Sequence, residues 1–76
     1  MEGQEFLKNF ALQFDDTEPD DIKLETNFKD IEEWSSLTAL AVMAMADEEY
    51  NVKLTAADFR SSATVADIFN LIKSRS

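Results

Sequence analysis

The 76-residue chain contains no cysteine and no histidine, and only one glycine and one proline. Without cysteine there is no disulfide, no thiol nucleophile and no cysteine-based metal site, so redox chemistry gives no clue to the compartment. Without histidine the commonest general base is missing as well. The scarcity of glycine and proline, beside 45% hydrophobic residues, points to a folded helical chain rather than a disordered one. Basic residues are also few: seven against sixteen acids, a formal charge of −9. Such a surface repels phosphate backbones and anionic membranes, which excludes nucleic acid as a partner. It favours partners with basic patches, met in brief charge-steered encounters. No basic N-terminal segment leads into an apolar run, and no apolar stretch is long enough to span a bilayer. The expectation is one soluble, cytoplasmic, monomeric domain over residues 1–76.

Hydrophobic spacing predicts helices. In residues 4–14, Phe6, Leu7, Phe10, Ala11 and Phe14 form one apolar stripe, with Asp15-Asp16-Thr17 as the stop. Residues 15–34 make a connection of roughly twenty residues, longer than compact domains usually carry. Ile22, Leu24, Phe28, Ile31 and Trp34 recur through it, which predicts an ordered crossover pinned to the core, with one short helical turn. A second helix is expected over 36–50, with Leu37, Leu40, Ala41, Ala44 and Met45 tracing one side and Val42, Met43 and Ala46 widening the apolar surface. Two Thr-x-x-Asp sequences, Thr55 to Asp58 and Thr64 to Asp67, have the form of a helix-starting capping box. The first predicts a single turn carrying Phe59. The second predicts a last helix with Val65, Ile68, Phe69 and Ile72 on one face. The sum is an all-α fold, a small four-helix bundle of three main helices and one short one, with the long loop between helices one and two. No sheet is expected, although residues 51–54 could be briefly extended.

Few residues offer chemistry. The acids Asp15, Asp16, Glu18, Asp20 and Asp21 lack the glycine and closing glutamate of a calcium loop, and read as a solvated acidic connection. A serine hydrolase has no histidine and no Gly-x-Ser-x-Gly elbow to work with. Metal and catalytic residues are therefore expected to be absent, and the chain is read as a non-enzyme. Asp47, Glu48 and Glu49 crowd the end of helix two, where like charge opposes the dipole by about 0.3–1 kcal/mol each; solubility and docking to a basic partner are the two explanations. The remaining feature is Trp34-Ser35-Ser36-Leu37-Thr38, which sets two hydroxyls at a helix start. Ser35 is placed to cap, accepting from the Thr38 N–H. Ser36 at the first helical position is exposed, beside N–H groups and a dipole end that suit a phosphate. On the residues alone, capping and modification both stay open.

These features, taken in order, resemble the acyl carrier protein family over nearly the whole chain. The acidic chain length, the first helix, Thr26-x-Phe28-x-Asp30, Ser36-Leu37 opening an apolar helix, Asp47-Glu48-Glu49-Tyr50, Val52-x-Leu54 and Thr64-Val65 all match with the right spacing. The family's Asp-Ser-Leu serine carries 4′-phosphopantetheine, taken from coenzyme A by a phosphopantetheinyl transferase. The resemblance implies that Ser36 is that attachment point and that Leu37 packs beneath it. Ser35 departs from the usual aspartate, and Thr38 and Ala41 stand where many carriers have acids. The resemblance further implies docking through Leu37, Ala41, Asp47 and Glu48 to acyl-transferring or acyl-activating enzymes with basic or apolar patches. An acyl chain is expected to tuck between helices among Phe28, Leu40, Met45, Leu54 and Phe59. The cargo would be an acyl thioester of fatty-acid, polyketide or specialised acyl-transfer metabolism. The alternatives are an aminoacyl or peptidyl carrier, or an unmodified acidic interaction module.

Overall fold

The computed structural model describes residues 3–75. Among these residues four α-helices form: α1, Gly3–Ala11; α2, Ser36–Tyr50; α3, Ala56–Ser61; and α4, Val65–Arg75. Among the described residues no strand forms, and the all-α expectation holds. A single isolated bridge joins Asn27 to Thr64. No described helix is long and apolar enough to cross a membrane.

The apolar stripe of α1 does what its spacing demands. Phe6, Phe10 and Ala11 are buried, and Phe14 joins them from just past the helix. The helix ends at Ala11 rather than Phe14. The N–H groups of Gln13 and Phe14 bond three residues back, to Phe10 and Ala11, so the chain tightens into a turn before the acids begin. α1 packs against both α2 and α4. Phe6 meets Phe69 of α4 at 5.2 Å between ring centroids, and Asn9 Nδ2 donates to the Tyr50 hydroxyl of α2 at 3.0 Å.

The long connection is part of the core, as its apolar residues imply, but it contains two 3₁₀ turns rather than one. They span Pro19–Asp21 and Phe28–Asp30. Proline fits the first because its missing N–H falls where a helix start has no partner for one. Asn27 opens the second by accepting from the Lys29 N–H at 3.0 Å. Ile22 and Phe28 are buried, and Leu24, Ile31 and Trp34 pack against the core from partial exposure. Backbone bonds from Val65 to Thr26 (3.0 Å) and Ala66 to Leu24 (2.8 Å) tie the connection to the start of α4.

Both predicted capping boxes form. Thr55 Oγ1 accepts from the Asp58 N–H at 3.2 Å and Asp58 returns a bond to the Thr55 N–H at 2.8 Å. Thr64 and Asp67 do the same for α4. Residues 51–54 form no strand. They leave α2 through Asn51, which takes the left-handed conformation (φ 57°) that asparagine tolerates at a helix end.

The face of α2 is where pattern and structure part. Thr38, Val42, Met45 and Ala46 are buried, whereas Leu37 is 79% and Leu40 58% exposed. The helix is apolar nearly all round, so period alone could not choose the inward side. Leu37 does not pack beneath its neighbour; it projects into solvent.

Candidate functional site

The start of α2 is a small network of hydroxyls. Ser35 has extended backbone and caps the helix, its Oγ accepting from the Thr38 N–H at 3.4 Å. Thr38 Oγ1, buried, donates to the Glu33 carbonyl at 3.1 Å. That leaves Thr38 Oγ1 as the acceptor in its 3.3 Å contact with Ser35 Oγ, so Ser35 donates there. Both hydrogen-bonding roles of the Ser35 hydroxyl are thus used within the fold. Ser36 is different. It is exposed at the first helical position, and its hydroxyl makes no hydrogen bond to any described residue. The first intrahelical bond at this end runs from the Ala39 N–H to the Ser35 carbonyl at 2.9 Å. The N–H groups of Ser36 and Leu37 therefore precede the helical ladder and lie at the positive dipole end.

Beside these serines lies an open groove of about 480 Å³ lined by Trp34, Ser35, Ser36, Ala39, Leu40, Met43, Ala56, Phe59 and Arg60. It runs between the first half of α2 and α3. Its walls are apolar apart from the two serines and Arg60. Trp34 forms one wall and is held in place by Phe28 at 4.7 Å and Phe59 at 5.7 Å between ring centroids.

Glu33 escaped the sequence reading, where it was one acid among sixteen. Its carboxylate accepts from the N–H of Asp15, from the N–H of Asp16 at 3.0 Å, and from both the N–H (2.9 Å) and hydroxyl (2.8 Å) of Thr17. The far end of the long connection is thereby fastened to the residue whose carbonyl receives Thr38.

Those bonds, led by the Asp15 N–H, hold the Glu33 carboxyl below its ordinary range against the opposing effect of partial desolvation. A lowered folded-state pKa gives stability that is present above the unfolded value and is lost as pH falls through the folded one. Glu33→Gln is accordingly expected to lower the Tm at neutral pH. The gap to wild type should narrow once pH drops below about 4, the ordinary glutamate range. Thermal unfolding followed by circular dichroism from neutral to acid pH checks this; a gap that stays constant throughout would exclude the charged clasp.

Of the residues expected to dock partners, Leu37, Asp47 and Glu48 are exposed and Ala41 is half-buried. Asp47 also takes Lys53 Nζ at 3.4 Å, an exposed pair of little energetic weight. Of those expected to line an acyl space, Leu40 and Phe59 border the groove, whereas Phe28, Met45 and Leu54 lie in the core. Trp34, Ala39, Met43, Ala56 and Arg60 border the groove without having been anticipated. Among the described residues no cluster of acids is placed to hold a metal ion.

Comparison with known proteins adds one match. The family described as "Phosphopantetheine attachment site" matches residues 5–72. No curated protein matches the chain.

Proposed function

Because the chain belongs to the phosphopantetheine attachment site family, whose fold is the seat of a covalent 4′-phosphopantetheine, we propose that Ser36 is the attachment point and that the protein carries acyl groups between partner enzymes. Carrier domains of this family are generally non-catalytic. When bound, the group supplies a terminal thiol that holds an acyl chain as a thioester, the nucleophile that a chain without cysteine lacks. The observation that carries the assignment is the contrast between the two hydroxyls: Ser35 is engaged twice inside the fold and Ser36 is unengaged, exposed and at the helix start.

The residues present fit such a group. A phosphodiester on Ser36 would meet N–H groups ahead of the helical ladder, at the end of the dipole that favours negative charge. Ser35 and Thr38 fix the first turn of α2, so the anchor does not fray. Tethering at a fixed anchor raises the effective concentration of cargo at a docked enzyme. Leu37 and Leu40, exposed on the same helix as Asp47 and Glu48, supply apolar contact beside acids that steer a basic partner. A phosphopantetheinyl transferase is the first such partner, and acyl-activating or acyl-transferring enzymes follow. The apolar walls of the groove favour an acyl cargo over an aminoacyl one. A monomer working in the cytoplasm of fatty-acid, polyketide or specialised acyl-transfer metabolism accords with the charge of −9.

The test is incubation with coenzyme A and a phosphopantetheinyl transferase, followed by intact mass and peptide mapping. One phosphopantetheine per chain, mapped to Ser36, is expected. Protein that stays unmodified with several transferases would overturn the reading.

A further inference from the structure

Arg60 is the one charged side chain among the residues lining the groove that Ser36 opens into. Like Lys8 and Lys23, it forms no ion pair with a described residue, although the chain has sixteen acids. The acid nearest it on α3, Asp58, is paired with another base. Arg75 of α4 grips both Asp58 oxygens at 2.7 and 2.9 Å, and the Thr55 N–H shares one of them. That fork keeps the Asp58 carboxyl well below the usual carboxylate range, and Arg60, two residues further along the helix, does not face it. The Arg60 guanidinium itself makes no hydrogen bond or ion pair with any described residue. Its backbone, in contrast, is anchored: the Arg60 carbonyl accepts from Lys29 Nζ at 3.0 Å, and the Ser61 hydroxyl bonds the Asp58 carbonyl in the same turn. An exposed, permanently charged fork is thus mounted on a fixed point of α3 across the groove from Ser36.

We propose that Arg60 is a positioning residue for the arm: its guanidinium pairs with the phosphodiester that a phosphopantetheine on Ser36 carries, directing the arm along the groove between α2 and α3. This rests on the attachment reading above. Guanidinium is suited to the task because its planar donors match phosphate oxygens two at a time, whereas an ammonium offers a point charge. The phosphodiester is the committed anion because its anchor lines the same groove as Arg60. A carboxylate at the far end of the cargo is the competing source of negative charge.

The experiment uses protein loaded with phosphopantetheine and free of cargo, which removes that competitor. Phosphorus NMR reads the phosphodiester, and nuclear Overhauser contacts read the arm methyls against Leu40 and Met43. In wild type those contacts are expected, and raising the salt should weaken them and shift the phosphorus resonance, as screening of an exposed pair requires. Arg60→Gln should show the shifted resonance at low salt already, with arm contacts reduced several-fold, and Arg60→Lys should fall between. The unloaded Arg60→Gln protein should keep the wild-type amide spectrum away from α3, which separates loss of the pair from loss of the fold. The salt titration of wild type answers the question even if the variant is damaged. Identical phosphorus shifts and arm contacts in loaded wild type and Arg60→Gln would overturn the proposal while leaving Ser36 as the anchor. An effect that appears only with a carboxylated cargo would overturn it too, moving Arg60 to cargo recognition. Absence of any modification at Ser36 would overturn the attachment reading instead, and this inference with it.

Discussion

Ser36→Ala is expected to gain no phosphopantetheine under conditions that convert wild type fully, whereas Ser35→Ala is expected to gain one. The argument is one of hydroxyl availability. Ser35 Oγ accepts from the Thr38 N–H and donates to Thr38 Oγ1, which in turn donates to the Glu33 carbonyl. Attaching a phosphodiester to Ser35 would take its proton from that chain and crowd the cap. Ser36 loses nothing on modification, because its hydroxyl has no partner among the described residues to give up. Ser35→Ala should nevertheless lower stability by about 1 kcal/mol, the usual effect of removing a serine N-cap, and so slow modification through fraying of the first turn. Ser35→Asp provides the complementary case. It keeps a cap acceptor and adds charge at the positive end of the dipole, a gain of about 0.3–1 kcal/mol. It should therefore restore or exceed wild-type stability and remain a substrate. Intact mass against time for the four proteins, with their melting temperatures, checks the set. Modification of Ser36→Ala but not of Ser35→Ala would reassign the anchor.

How far the sequence reached can be judged element by element. Helix ends were readable where a side chain closes them: Ser35, Thr55 and Thr64 each announce a cap through residue type and spacing, and each forms it. The core of α4 was readable because Val65, Ile68, Phe69 and Ile72 repeat with helical period against polar neighbours. The inward side of α2 was not, since leucine, alanine and methionine occupy nearly its whole circumference. What decides it is tertiary. Phe10 and Phe28 fill the interior, leaving Val42, Met45 and Ala46 to face them and Leu37 and Leu40 to project outward. Glu33 was equally hidden, for its role depends on residues 15–17 folding back across a distance no local pattern encodes. The anchor serine was legible as one of two hydroxyls at a helix start. Choosing between them required the Thr38 network. The groove beside them was legible only in part, because its walls come from two stretches of the chain, 34–43 and 56–60, that only the fold brings together.

Phe28→Ala is expected to be the most destabilising single change outside the helices. Phe28 lies on a 3₁₀ turn of the long connection, yet it is fully buried. Its ring meets Trp34 at 4.7 Å, Phe59 edge-on at 5.9 Å and Phe10 at 6.5 Å between centroids, so it joins α1, α3 and the approach to α2. Truncating a buried phenylalanine costs about 3–5 kcal/mol in lost transfer energy and residual cavity. A domain of this size has a total stability near the lower end of about 5–15 kcal/mol. At roughly 4–8 °C for each kcal/mol, the melting temperature should fall by more than about 12 °C, and the cooperative transition should broaden. The comparison protein is Leu40→Ala. Leu40 borders the groove but is 58% exposed, so its removal should change stability by no more than about 0.5 kcal/mol. Melting curves for the two variants therefore separate two roles that look alike in sequence, where both side chains are expected to line an acyl space. If Phe28→Ala melted like Leu40→Ala, the connection would be a surface crossover and the Trp34 wall of the groove would stand without it. A large loss confined to Phe28→Ala means that the groove is built on the connection: Phe28 fixes Trp34 from behind, and Trp34 in turn shapes the space beside Ser36.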